Sequence, residues 1–408
     1  MEANKNKVNV GENMKIAIVF DGLGVGGTER VGSDYAKLLH QLGHEITVIN
    51  LRPNLTDMLK EFPKECEFVD FYFPRKLVPE QYVKLTKEGY LGNLAYVLAA
   101  PWFSLANVIY KIPCRIKRAM AREYDLAIAF SGHFNDLAFV TKGFVKAKKR
   151  MCWLHGALYG YLLISNGYLN LYKRMKNLVV LVKDAQEEVM MYNRNLKLNI
   201  HKVYNPTFIA DKTIDESKVQ QLQQKYGKFF VMVSRFDYPH KDHYTVVKAL
   251  AILKEKYQED YHLLLIGSGP EEEKVKKFAK SLGDEVHAHV HFMGNQSEVQ
   301  NYYKAAHLLL HASVAGEGLP TIMLEALAYD LPMVVTDSKV GPREILGESE
   351  FGMLCRVQDP QDMAHKVHSI CKDEELYHTY QKRGRERVKD FAPETIQKEL
   401  EKVLNTLE

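Results

Sequence analysis

Residues 15–21 (KIAIVFD) form an apolar run rich in β-branched side chains, followed at once by the turn GLGVGG. Val31, Tyr35, Leu38, Leu39 and Leu42 then recur at steps of three and four until Gly43, the spacing of a helix with one buried face. Residues 44–51 (HEITVINL) return to a strand pattern. Strand, glycine turn, helix and strand make a βαβ unit, whose parallel strands need such a crossover. Further strand-like runs stand at 125–130, 150–154, 178–182 and 201–204, consistent with one doubly wound sheet.

After Asn205-Pro206 the pattern restarts. Strands are predicted at 229–234, 262–266, 290–293, 308–311 and 333–336. Helices fall between them, one through Val246, Val247, Leu250 and Leu253, one near 271–282 and one from about Thr321. The chain therefore reads as α/β with two Rossmann-like domains, joined by a short connector around 204–228. The first covers 1–206 and the second 207–391. A last helix, about 392–408, carries Ile396, Leu400, Val403 and Leu404 on one face and is assigned to the first domain.

Composition adds little to this picture. With 46% hydrophobic and 26% charged residues the chain can bury sizeable cores. A formal charge of +4 suits weak attraction to anionic lipid or phosphorylated ligands, and does not indicate a nucleic-acid partner. Cys66, Cys114, Cys152, Cys355 and Cys371 are scattered without a C-x-x-C pair, as expected of reduced thiols in a cytoplasmic protein. The opening MEANKNKVNVGENMK has no apolar stretch of the signal-peptide kind.

One segment departs from the average. No charged residue occurs between Gly89 and Tyr110, yet Gly89, Gly92, Asn93, Pro101, Ser104 and Asn107 interrupt the run. A pair of short buried or groove-lining helices is the simplest expectation. One alternative is a flap lying on a membrane, with aromatic Tyr90, Tyr96, Trp102, Phe103 and Tyr110 and a basic flank of Lys111, Arg115, Lys117, Arg118 and Arg122; a true membrane span is the other. The flap would make 89–122 a peripheral contact on the inner face of the membrane.

Candidate chemistry lies at strand ends, where open α/β sheets bind ligands. Gly22, Gly24 and Gly27 give a G-x-G-x-x-G between the first strand and helix, where glycines admit a ligand and the helix N-terminus offers N–H groups to an anion. A nicotinamide site expects an acid closing the second strand, but Asn50-Leu51-Arg52 stands there. Arg235 and Lys241 lie six apart in the loop after 229–234 and can converge on a diphosphate. Each charge pair would be worth on the order of 4 kcal/mol at ~4 Å and an effective dielectric near 20. The third candidate is SVAGEGLPTIMLEA, from Ser313 to Ala326. Amides at Gly318, Leu319 and Thr321, around Pro320 in the first helical turn, would face a phosphate. Glu317 and Glu325 would offer carboxylates to sugar hydroxyls, although both could simply complement the helix dipole.

These motifs together resemble the family-four retaining glycosyltransferases of the GT-B fold. The resemblance is carried by GGTER, by R-x5-K, by E-x7-E in EGLPTIMLE, by TDSKVGPREIL and by VYNP, and it runs from Lys15 to about Phe391. It implies a donor cleft between the two domains, with the acceptor bound by the first and the nucleotide sugar by the second. It implies that Arg235 and Lys241 hold the donor diphosphate, that Glu325 meets the ribose, and that Glu317 contacts the transferred sugar. Gly26 or Gly27 would approach the phosphates, and Gly294 and Gly318–Thr321 would complete the donor site. His155, in WLHG, matches a family histidine that hydrogen-bonds the donor sugar near the reacting carbon. The implied donor is a uridine diphosphate hexose or N-acetylhexosamine, the acceptor a polysaccharide or a lipid-linked saccharide, and no metal or other cofactor is implied. Residues 70–125 carry no motif of the family.

No D-x-D occurs in the chain. His287, His289 and His291 (HAHVH) read as alternating on one strand, with neighbours about 7 Å apart, too far for one zinc with bonds of about 2.1 Å. The rivals to a transferase are a non-catalytic nucleotide-sugar-binding subunit and a sugar-nucleotide epimerase on the same fold, with a dehydrogenase last.

Overall fold

The structure, a computed structural model, describes residues 13–87, 89–116, 121–208 and 213–407, with the side chains of 114–116 excepted. The opening residues up to 12, and Lys117 and Arg118 of the basic flank, lie outside this set, as does the Cys114 side chain. Contacts divide the chain into two units, Met1–Pro206 with Pro393–Glu408, and Thr207–Ala392.

Sheet one is built from β1 (Lys15–Phe20), β2 (Glu45–Asn50), β3 (Glu67–Asp70), β4 (Glu123–Ala129), β5 (Lys146–Leu154), β6 (Asn177–Val180) and β7 (Asn199–Lys202). Its strands are all parallel, in the order β3-β2-β1-β4-β5-β6-β7. Parallel strands covered by helices on both faces read as continuous apolar runs. That is why IAIVF of β1 and LVV of β6 are buried throughout. The helix α1 (Gly27–Gln41) buries Val31, Tyr35, Leu38 and Leu39. Tyr35 and Phe130 each meet Trp153 with ring centroids 5.0 Å apart, an aromatic centre for this unit.

Sheet two contains β8 (Phe229–Val233), β9 (His262–Ile266), β10 (Val290–Gly294), β11 (Leu308–His311), β12 (Met333–Thr336) and β13 (Met353–Cys355). The order is β10-β9-β8-β11-β12-β13, again all parallel. Phe230, Met232, Leu263, Leu265, Leu308 and Leu310 form its core with Val246, Leu250 and Leu253 of the helix His243–Tyr257.

Both sheets reverse their strand order once, between β1 and β4 and between β8 and β11. Crevices open at the carboxyl ends of strands beside such reversals, so Asp21, residues 131–133, residues 234–242 and residues 312–320 stand at the two favoured positions.

Four expectations change. β3 was not anticipated: EFVD is an edge strand, largely exposed, with neither alternation nor an apolar run. β13, of three residues, was too short for any periodicity. The 204–228 connector is not plain linker, since it holds the helix Glu216–Tyr226, capped by Asp215 and anchored through Val219, Leu222 and Tyr226. HAHVH does not alternate on one strand. His287 and His289 close the helix Asp284–His289, begun by Asp284 and Glu285 in its first turn, and only His291 lies on β10.

The expected pair of short buried helices over 89–110 is also replaced. A single helix, α2 (Tyr90–Ile116), runs through Pro101 and Pro113 and leaves most of its large apolar side chains exposed. Proline inside a helix removes one backbone bond, but the long apolar segment on either side keeps helical geometry.

The helix Pro393–Thr406 completes the first unit by burying Ile396, Leu400, Val403 and Leu404. Lys149 Nζ donates to the Leu407 carbonyl at 2.6 Å, and Asn199 Nδ2 to that of Thr406 at 3.3 Å. Deleting a fully buried leucine side chain costs about 2–5 kcal/mol. Leu400→Ala is therefore expected to lower the first melting transition in calorimetry and leave the transition of Thr207–Ala392 in place.

Candidate functional site

In the second unit β8 ends at Val233, and the loop that follows carries Arg235 and Lys241. Three hydrogen bonds fix this loop against the segment after β11. Val314 and Ala315 N–H groups donate to the Pro239 carbonyl at 3.0 and 3.1 Å, and Asp242 N–H donates to that of Ala312 at 2.8 Å. Asp242 also caps the helix His243–Tyr257, accepting from Thr245 N at 3.1 Å and Thr245 Oγ1 at 2.6 Å. Lys241 thus rides on the rigid start of a helix. Its Nζ lies 2.6 Å from Glu317 Oε1.

Glu317 has a second partner that the sequence reading did not single out. His311, wholly buried at the end of β11, places Nε2 3.0 Å from the same Oε1. Burial alone would raise the Glu317 carboxyl, but the charges of His311 and Lys241 outweigh it and bring it down to about 2. The Glu317 carbonyl in turn accepts from Val340 and Gly341 N–H groups, both at 3.0 Å. A Cβ at Gly341 would run into the Gly318 carbonyl, so the two loops can lie this close only with glycine there.

Glu325 is buried within the helix Thr321–Ala328, where Tyr303 Oη donates to its Oε2 at 3.1 Å. No side chain caps that helix at Pro320, which leaves its first N–H groups to a ligand or to water. Arg235 is largely exposed, with Nη2 2.5 Å from Asp237 Oδ2. Gly294 closes β10 at φ +62°, and its carbonyl accepts from Gly267 N–H at 2.9 Å. Arg235, Lys241, Gly294, Glu317, Gly318, Leu319, Pro320, Thr321 and Glu325 thus belong to one unit. Lys241 and Glu317 are in direct contact.

In the first unit Gly26 is the N-cap of α1 and Gly27 its first residue. The Glu29 carboxylate folds back over Gly26, where a Cβ would strike it, and leaves the space at Gly27 open. Burial raises the Glu29 carboxyl above its ordinary range. His155 follows β5. Its Nε2 is 2.5 Å from the Phe130 carbonyl; a carbonyl only accepts, so Nε2 carries the proton and Nδ1 is left as an acceptor. Burial holds His155 down to about 4, neutral at physiological pH.

A second polar group sits at the β1–β4 reversal and was missed from the sequence. The buried Asp21 carboxylate accepts from Arg52 Nε and Nη2, both at 3.1 Å, from Asn135 Nδ2 at 2.7 Å, and faces His133 Nδ1 at 3.2 Å. Burial opposes charge on His133, but Asp21, Asp136 and Glu29 outweigh it and raise its pKa. Asp136 is pushed up to about 7 by burial, despite His133 beside it and N–H bonds of 2.8 Å from Gly132 and His133. Arg52, standing where a nicotinamide site expects an acid, is thus the partner of Asp21. The available signal was FSGHFND, a glycine and histidine directly after a strand.

Residues 213–387 match the family model of glycosyl transferases group 1. Over those residues the chain is similar to the group 1 glycosyltransferases. An uncharacterized glycosyltransferase of Haemophilus influenzae is 25% identical over 387 residues, which cover 93% of this chain and 96% of that protein. An alpha-1,4-N-acetyl-D-galactosaminyltransferase of Campylobacter jejuni, named for a PP-undecaprenol-linked acceptor, is 25% identical over 54% of this chain and 58% of its own. Among solved structures, Anabaena HepE in complex with UDP superposes with a TM-score of 0.74 at 20% identity, covering 97% of this chain and all of that one. The likeness is one of fold, the GT-B class with its two Rossmann-like units.

The lowered Glu317 pKa gives this unit a pH signature. A carboxyl whose folded pKa is depressed contributes stability that is present above its ordinary value near 4.5 and lost as pH falls through about 2. Wild type should therefore exceed Glu317→Gln in stability at neutral pH by about 3 kcal/mol, the size of such a shift. Urea melts of both proteins at falling pH should show the gap closing between about 4.5 and 2.

Proposed function

We propose that this glycosyltransferase moves a hexose or N-acetylhexosamine, with retention, from a uridine diphosphate sugar to a polysaccharide or lipid-linked acceptor presented at the cytoplasmic face of a membrane. The observation that carries the donor half is Lys241, held 2.6 Å from the buried Glu317 carboxylate beside an uncapped helix N-terminus. A cation and free N–H groups in one loop cluster suit a diphosphate whose charge grows as the sugar leaves. In this reading Arg235 and Lys241 take the diphosphate together with the amides of Gly318, Leu319 and Thr321. Glu325 takes the ribose, Glu317 meets the sugar, and Gly26, Gly27, Gly294 and His155 keep the roles that the resemblance implies.

The reaction needs no metal in this scheme, because arginine, lysine and backbone amides supply the positive potential. Retention follows a front-face route in which the departing phosphate helps take the acceptor proton. UDP in Anabaena HepE supports the base, and the undecaprenol-linked acceptor of the Campylobacter enzyme supports the acceptor class.

Removing one preorganised contact to developing charge typically costs roughly 100- to 1,000-fold in rate. Lys241→Ala should lose about that factor in kcat for sugar transfer and bind UDP more weakly by calorimetry, while its circular dichroism stays that of wild type. Unchanged turnover in a folded Lys241→Ala protein would refute the assignment, and UDP binding without any transfer would favour a non-catalytic subunit.

A further inference from the structure

Over Tyr90–Pro113 the helix α2 is long and apolar enough to cross a membrane. Its attachment to the first unit gives it a different use. Tyr96, Phe103, Asn107 and Tyr110 recur at helical spacing along one side. Phe103 stacks on Tyr82 at 5.1 Å, and Asn107 Nδ2 donates to the Leu77 carbonyl at 2.7 Å. Tyr110 Oη donates to the Tyr72 carbonyl, and its ring meets Phe71 at 5.7 Å. From Phe103 to Tyr110 this line of attachment is about 10 Å long at ~1.5 Å per residue. A helix fastened over these two turns cannot stand upright in a bilayer without tearing from its unit.

The opposite side is a continuous apolar stripe. Leu91, Leu98, Trp102, Leu105, Ile109 and Ile112 follow one another at steps of three, four and seven, and all are exposed, Trp102 at 73%. No Asp, Glu, Lys or Arg interrupts α2 before Lys111. The surrounding sequence is strongly basic. Residues 75–122 hold nine Lys or Arg against two Glu, a net +7, whereas the whole chain carries +4, so the remainder carries −3. A second copy of this chain laid against the stripe would bring two clusters of like charge together, which works against self-association.

We infer that α2 is a monotopic anchor: it lies in the plane of an anionic bilayer, its Leu98–Trp102 stripe sunk among the acyl chains and its basic flanks against lipid phosphates. The geometry is that of an interfacial helix whose docked side stays on the protein. This holds whichever sugar the enzyme transfers, and does not depend on the donor site.

The full chain is tested by flotation with vesicles of mixed phosphatidylglycerol and phosphatidylcholine, and with phosphatidylcholine alone. Binding is expected to the anionic vesicles and to weaken with salt. Leu98→Glu with Trp102→Glu should lower it by roughly tenfold or more, as two large apolar side chains lose their burial. The chain has two tryptophans, and Trp153 is wholly buried, so any spectral response reports Trp102. Its emission should shift to the blue, with quenching strongest for lipids brominated near the headgroup. Three results would overturn the inference: no vesicle binding, equal binding by the double variant, or deepest quenching at the chain ends, the mark of a span. A concentration-dependent dimer abolished by the double variant, without vesicle binding, would assign the stripe to a second copy instead. A UDP-induced thermal shift retained in the variant shows that it is folded. Failure of UDP to bind either protein counts against the proposed function alone.

Discussion

The second unit is organised around one carboxylate. Glu317 sits between Lys241 and His311, at 2.6 and 3.0 Å, with little access to water. A charge so placed must be neutralised by its neighbours, and removing either would strand it. That requirement ties the loop after β8 to the loop after β11. It also keeps Lys241 against the loop that leads into the helix Thr321–Ala328. Most of the local geometry, including the close approach of Gly341 to Gly318, follows from holding these loops together.

The first unit repeats the device on different residues. Asp21, at the strand reversal of sheet one, lies between the cation of Arg52 and the imidazole of His133. Glu317, at the reversal of sheet two, lies between a lysine and a histidine. In each sheet the strand order turns at the same relative place, so each leaves a crevice at its carboxyl edge. A buried acid that fixes two basic groups gives such a crevice a rigid, polar floor.

The alternation of strands and helices was readable because parallel strands covered on both faces are uninterrupted apolar runs, such as LLLI of β9. Exposed β3 and three-residue β13 lacked that signature. Lys241 and Glu317 were legible because each lies in a glycine- or proline-marked loop between a strand and a helix. Asp21, Arg52 and His133 were not, because they come from three separate strand ends, 31 and 112 residues from Asp21. His311 was hidden in an apolar strand, LLLH. For 89–110 the composition announced an apolar helix but could not say which side the protein covers. That depended on Tyr82, Leu77 and Tyr72, which lie in a segment without any recognisable pattern. HAHVH was misread because alternation of histidines is compatible with strand and helix alike, and Gly283 with the two acids after it favoured the helix.

The passage of the chain through the two units has its own consequence. The sheet of the first unit is finished by Lys202, yet its outer face is covered by a helix that follows Ala392. During synthesis the whole of Thr207–Ala392 is made while Ile396 and Leu400 are still missing from the earlier unit. The chain of the second body is therefore made before the first can close its apolar seam. The unit begun earliest is the last to have all of its parts, and until then the apolar surface that Ile396 and Leu400 cover stays open.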